Sequence, residues 1–274
     1  MITLESLHLD VADGVAQLRI DHGKANEMGR QQIGEWERLC DWLETAPVAA
    51  LLSFSDRRSP KGAPIFIAGA NVTERAEWSV DEVKAHVRRQ RAVLTRLRRV
   101  PVFHVGVIHG VALGWGTEYT LTCDWRIVTP GARFALPETG LGILPGAGGA
   151  SELATVIGPN QALRLGMTGE SVGAEEAVRI GLVDELANDL ASGLERAQAL
   201  ATRVALRSPT AVAAYKAAVL AALGQGTDAR RDIEARAYEH CVNSGEAAVG
   251  RANFATITAG SARAPWGIYS PWKP

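Results

Sequence analysis

The stretch Arg133-Phe134-Ala135-Leu136-Pro137-Glu138-Thr139-Gly140-Leu141-Gly142-Ile143-Leu144-Pro145-Gly146-Ala147-Gly148-Gly149 sets the reading of this chain, because it places one carboxylate among apolar and small residues. In that company Glu138 is not a solvated surface charge. Removal from water raises a carboxyl pKa, so the group is suited to deliver a proton near neutral pH. A second, better-solvated glutamate would then stay ionised and serve as base.

Two upstream segments share one arrangement of apolar strand, small-residue turn and helix start. The first is Pro64-Ile65-Phe66-Ile67-Ala68-Gly69-Ala70-Asn71, and the second runs from Ile108-His109-Gly110 through Val111-Ala112-Leu113-Gly114-Trp115-Gly116-Thr117 to Glu118. Small side chains let a ligand approach the backbone. Unpaired N–H groups at helix starts stabilise negative charge, and two of them converging on a carbonyl oxygen would hold an enolate. Such turns also serve close packing in α/β folds, so either segment alone leaves both readings open.

Outward from these segments, alternating apolar residues predict a hairpin from Leu4–Leu9 and Val15–Ile20 around Asp13-Gly14. Ile33, Trp36, Leu39 and Leu43 recur as on one helix face, and a strand over Val48–Phe54 follows. The alternation continues with a strand over Ile65–Ala68, a helix over Val80–Leu97, a strand over Val102–Ile108 and a helix from Thr117. Short strands are expected at Ile127–Val128 and Arg133–Ala135, then a helix over Gly146–Ile157 ended by Gly158-Pro159. This is α/β organisation. From Ser208-Pro209, a favourable helix start, only helices are expected, ending in an extended tail over Ala264–Pro274. The domain reading is residues 1–205 as a core bearing the site and residues 206–274 as a helical C-terminal region with its tail.

Composition excludes several classes. With 274 residues, 47% apolar side chains and a formal net charge of −1, the chain buries a sizeable core and offers no global attraction for nucleic acid or an anionic membrane. Met1-Ile2-Thr3-Leu4-Glu5 lacks the basic-then-apolar pattern of a secretory signal, and the apolar helix Ala211–Leu223 is too short to span a bilayer. Cys40, Cys123 and Cys241 lie far apart, which suits packed, reduced thiols in a cytoplasmic protein. His104 and His109 lack a ligand spacing for metal, and no GxSxG elbow, Walker loop or GxGxxG fingerprint is present. Lys84, Arg88, Arg89, Arg91, Arg96, Arg98 and Arg99 form a basic helix; without aromatic residues in the run it reads as a solvated face rather than an RNA site.

Taken together the strings AGAN, GVALGWGTEY and PETGLGILPGAGG resemble, in the same order, those of the enoyl-CoA hydratase/isomerase family, the crotonases. Asp21–Met28 resembles the family's early loop ending in KAN, Cys123–Ile127 its CDxRI strand, and Thr168–Asp184 a further conserved stretch, so the likeness covers nearly the whole chain. It implies a spiral of ββα turns, a helical C-terminal region that assembles trimers or dimers of trimers, and an acyl-CoA substrate whose coenzyme A is the only cofactor-like group. Position by position it implies oxyanion-hole amides at Ala70 and Trp115. Glu118 and Glu138 fall at the base and acid positions, and Ala25, Ala68, Asn71, Val72 and Thr73 border the coenzyme A. Retention of both glutamates favours hydration over double-bond isomerisation or a non-catalytic, RNA-binding role.

Three departures from the family strings stand out. Trp115 replaces glycine, and its indole either enters the acyl pocket, favouring short or flat acyl groups, or packs into the core or a subunit contact. Asn71 replaces aspartate, and the stretch Pro101–Gly110 is about two residues longer than usual, which would reshape the second turn's entry. Arg57, Arg58 and Lys61 join the helix arginines as candidates to meet coenzyme A phosphates.

Overall fold

The chain opens with β1 (Leu7–Ala12) and β2 (Val15–Ile20), paired antiparallel about a two-residue turn in which Asp13 and Gly14 both have positive φ. Such a turn matches the strand twist and carries β1 right up to Ala12, so the strand lies later than the Leu4–Leu9 expected. The computed structural model describes residue 2 and residues 4–260 and 263–274; Met1 and Thr3, which entered the reading of the N-terminus, lie outside them.

After α1 (Arg30–Leu43), whose buried face carries Ile33, Trp36, Leu39 and Leu43, the chain enters a repeated two-strand unit. In the first turn β3 (Ala50–Phe54) and β4 (Ile65–Ile67) lead to the short α2 (Val72–Arg75) and the long α3 (Val80–Arg99). In the second, β5 (Phe103–Ile108) and β6 (Val111–Leu113) lead to α4 (Trp115–Thr120). In the third, β7 (Trp125–Val128) and β8 (Arg133–Ala135) lead through a 3₁₀ turn at Pro137–Leu141 to α5 (Leu153–Thr168). β9 (Val172–Gly173), α6 (Ala174–Arg179), β10 (Glu185–Leu186) and α7 (Leu190–Ala205) complete the turns.

The first strand of each unit joins a six-stranded sheet ordered β1-β2-β3-β5-β7-β10, and the second joins a four-stranded sheet ordered β4-β6-β8-β9. All pairings are parallel except β1–β2 and β8–β9. This is the spiral of ββα turns that the crotonase resemblance implied. The main core fills the space between the sheets and helices with Leu18, Trp36, Leu51, Phe66, Leu97 and Phe134. On the outer face of the larger sheet Leu52, Val105, Val107 and Ile127 pack under Ala197 of α7.

Three element readings are corrected. Val111–Leu113 is a strand, β6, rather than part of a turn, and α4 starts at Trp115 instead of Thr117. Residues 146–152 form turns, and α5 starts at Leu153; Gly158, at φ 76°, interrupts it and Pro159 restarts it as the first residue of a second helical run. Beyond α7 only helices occur among the described residues, namely α8 (Pro209–Ala222), α9 (Thr227–Asn243), α10 (Glu246–Ala252) and α11 (Phe254–Ala259). Ser208 caps α8 by accepting from the Ala211 amide, and residues 263–274 are extended, with Trp266 Nε1 donating to Leu206 O at 3.0 Å. Among the described residues no helix is long and apolar enough to cross a membrane.

Candidate active site

Parallel pairing of β4 with β6 and of β6 with β8 brings the carboxyl ends of these three strands side by side, and the three segments singled out above leave from those ends. The turns touch through backbone. A Cβ on Gly69, which has φ +100°, would stand 3.0 Å from Leu113 O, and one on Gly116 would stand 2.2 Å from Ile67 O. A Cβ on Gly114 would meet Glu138 Oε1 at 2.6 Å, so the third turn lies on the second. The small residues thus serve close packing here, and that packing is what sets the two turns together.

The amide of Asn71 goes to Met28 O at 2.9 Å and that of Gly114 to Ala135 O at 2.8 Å. Ala70 and Trp115 are the neighbours of these donors. Trp115 is the first residue of α4, where an N–H has no carbonyl one turn earlier to receive it.

Glu118, on α4, is only 4% exposed, and its Oε1 accepts from the amides of Ala147 at 2.7 Å and Gly149 at 2.9 Å. Burial pushes its pKa up, while those two amides, Arg91 and Arg75 pull against the shift without cancelling it. Glu138 is half-buried. Burial pushes it up to about 7, with its own backbone amide opposing and the negative charge of Glu118 adding. Its Oε2 is buried without a hydrogen-bond partner among the described residues. The expectation of a better-solvated second glutamate is therefore overturned. Glu118 is the more buried of the two, and the glycine-rich turn at 145–149 supplies amides where water would otherwise solvate the carboxylate.

The residues expected beside coenzyme A form one continuous strip. Ala68 N donates to Ala25 O at 3.0 Å, Asn71 caps α2 through Oδ1 to Glu74 N at 3.0 Å, and Val72 and Thr73 are exposed next to it. The cap is one that aspartate would also make, so the Asn71 departure leaves the turn intact. Asn26 latches the early loop to the end of β4, its Nδ2 donating to Phe66 O at 2.7 Å and Ser55 Oγ at 2.9 Å. Of the basic candidates nearby, Arg57 pairs with Asp21 and Gly23 O, and Arg58 donates to Gly62 O.

The Trp115 indole packs into the core, 5.9 Å from Trp36 and 5.7 Å from Tyr119 between ring centroids, and not into an acyl pocket. The expectation of a short-acyl preference through this side chain loses its basis. His104 is fully buried beside Ser53 Oγ at 2.8 Å, its pKa pushed down to about 3 by burial and the Lys216 charge. The basic helix lies along α1, with Arg89 on Glu37 and Arg96 on Asp41 and Glu44, while Arg98 pairs with Glu152. A cavity of about 270 Å³ is lined by Glu118 together with Arg91, Arg98, Thr122, Ser151 and Leu220 among others. One charged group near both glutamates escaped the sequence reading: the half-buried Arg75, at the end of α2, whose charge is felt by Glu118 and Glu138. Only the fold brings it there, and no string marks it.

Comparison with known proteins agrees with this architecture. The chain is 29% identical over 244 residues to a short-chain-enoyl-CoA hydratase of Clostridium acetobutylicum, covering 88% of this chain and 91% of that one. The crystal structure of an enoyl-CoA hydratase from Bacillus anthracis superposes with a TM-score of 0.86 at 27% identity, over 96% of this chain and 99% of that one. Pseudomonas aeruginosa DspI does so with a TM-score of 0.87 at 26% identity, over 97% and 98%. Residues 60–257, most of the length, match the enoyl-CoA hydratase/isomerase family, and the chain belongs to that family.

Proposed function

We propose that this protein adds water reversibly across the 2,3-double bond of an enoyl-CoA, with no cofactor beyond the coenzyme A carried by the substrate. In this reading the thioester oxygen sits between the amides of Ala70 and Trp115, which stabilise the negative charge that develops when C3 is attacked. Glu118 takes a proton from water as its oxygen bonds to C3. Glu138 gives a proton to C2 as the enolate collapses. The sum is one water added, and the proton gained by Glu118 returns to Glu138 through solvent before the next turnover.

One observation carries the reading: two buried-side carboxyls sit on adjoining turns, Glu138 at a pKa of about 7 and Glu118 held by two amides. The first is poised as an acid near neutrality, and the amide bonds favour the ionised form of the second. The curated relative's name makes a short acyl chain the first to try. The test is mass spectrometry of CoA esters turned over in ¹⁸O-labelled water. Incorporation of one labelled oxygen is expected, with Glu118→Gln and Glu138→Gln each reducing kcat by about 100-fold or more. Exchange of the C2 proton without oxygen uptake would instead mean an isomerase, and near-normal turnover in both variants would remove these assignments.

A further inference from the structure

The proposed hydration leaves Glu118 with a proton to lose at every turnover, in surroundings that restrict how it departs. The side chain is 4% exposed, and the amides of Ala147 and Gly149 both donate to its Oε1. Exchange with solvent needs water within hydrogen-bond reach of the carboxyl group. The cavity of about 270 Å³ that Glu118 lines offers a route for it.

One end of that cavity is buried, with Glu118 and Ala147 4% exposed and Leu121 and Thr122 3%. The other end reaches the surface, where Thr95, Arg99, Ser151 and Leu223 are exposed. A single space between α3, α4, the turn before α5 and the end of α8 thus joins solvent to the Glu118 side chain. Among the described residues that line it, Ala70, Trp115, Glu138 and the strip assigned to coenzyme A do not occur, so it approaches Glu118 from a different side than the thioester.

The walls suit water. Thr95, Thr122, Ser151 and Thr155 bring hydroxyl groups among the leucines, and Arg91, Arg98 and Glu152 bring charge. That charge is already answered: Arg98 pairs with Glu152 at 3.1 Å and donates to Leu121 O at 2.9 Å, and Arg91 Nε donates to Gly146 O at 2.7 Å. The remaining guanidinium, of Arg99, is exposed, so no buried charge here calls for an anionic ligand. A water takes about 30 Å³ of liquid volume and stays where it finds two to four polar partners, and this space has room for several.

We propose that this cavity is a water channel to Glu118, separate from the path of the CoA ester, through which the carboxyl exchanges its proton and draws the water it activates while the thioester is bound. The use made of the water rests on the hydratase reading; its presence in the channel does not.

The two are tested separately with substitutions that narrow the channel from opposite walls, Leu220→Trp on α8 and Ser151→Phe on the turn, each checked by thermal unfolding. Hydroxyl-radical footprinting at saturating butyryl-CoA, a saturated ester that undergoes no hydration, reads the water alone. Leu94 and Leu121, both 3% exposed and both on the channel wall, are expected to be oxidised in the wild type and protected in each variant. In the hydration of crotonyl-CoA each variant is expected to lower kcat by about tenfold or more with KM unchanged. Unoxidised Leu94 and Leu121 in the wild type would mean a dry cavity and overturn the proposal. Protection of both leucines with kcat for crotonyl-CoA unchanged would also overturn it, since the water would then enter from the ester side; a loss confined to longer 2-enoyl esters would make the cavity an acyl pocket. If the wild type takes up no ¹⁸O from labelled water into any 2-enoyl ester, the hydratase reading falls and the footprint alone decides whether the channel carries water to Glu118.

Discussion

Glu138 holds a proton in the folded protein that the unfolded chain gives up, and this makes stability depend on pH in a defined direction. With the folded pKa raised from 4.5 to about 7, the native state binds more protons between those values, so stability falls as pH rises through that window and stays low above it. The full shift would correspond to roughly 3 kcal/mol, and partial exposure reduces that to about 1–2 kcal/mol. Glu138→Gln should therefore be more stable than wild type at pH 8 by that amount in urea unfolding, with the gap closing near pH 5. In the hydration direction kcat/KM should fall as pH rises through about 7, when the proton donor is lost. Trp115 makes a different test. Its side chain belongs to the Trp36–Tyr119 cluster, so Trp115→Ala should cost about 3–5 kcal/mol of stability, while Trp115→Phe should cost less because it keeps an aromatic ring in the cluster and removes an unpaired indole N–H. Neither change should alter the preference for acyl length; a broadened range in Trp115→Ala would put the indole back in the pocket. Glu138 was legible because its string holds few neighbours able to solvate it, and Glu118 through the resemblance of its string, although its burial was not foreseen. Arg75 was not, since its significance comes from two glutamates more than 40 residues away in sequence.

At the scale of elements, the long helices and buried strands were readable from periodicity, with α1 falling at Arg30–Leu43 and α3 at Val80–Arg99. Short pieces were not. β6 has three residues, too few for an alternation to register, and it exists because Ile65 and Ile67 on one side and Arg133–Ala135 on the other offer it ladder partners. The turn at 145–149 reads as a helix start because its glycines and its alanine resemble one, but its amides point at Glu118, a tertiary partner invisible to local pattern. The contact of α4 with β4 is the element-level feature on which the site depends. Gly116→Ala would drive a methyl into Ile67 O, so the two turns must separate. The expected result is a fall in turnover of at least 100-fold with a smaller loss of stability, measured by kinetics and thermal unfolding in parallel. Full activity in this variant would mean that the spacing of the Ala70 and Trp115 amides does not matter to the reaction.

For the whole molecule, the spiral and the helices after α7 are joined at a partly buried ion pair, Lys216 of α8 donating to Asp124 Oδ2 at 2.7 Å and to Val102 O at 2.9 Å. Those helices nevertheless leave large apolar side chains in water, with Tyr215 74%, Tyr238 71% and Phe254 68% exposed, and with Val219, Leu223 and Val242 beside them in sequence also uncovered. Single exposed apolar residues are ordinary, but this many on consecutive helices is what a subunit contact requires. We therefore expect residues 206–274 to assemble the trimer, or dimer of trimers, that the family resemblance implied. Light scattering should give three or six times the 29.2 kDa of one chain. Tyr238→Asp combined with Phe254→Asp should shift the population toward monomer, because two charges would be buried without partners, while leaving circular dichroism of the spiral unchanged. A wild-type protein that runs as a monomer at micromolar concentration would detach the C-terminal helices from assembly and leave their apolar faces to another partner.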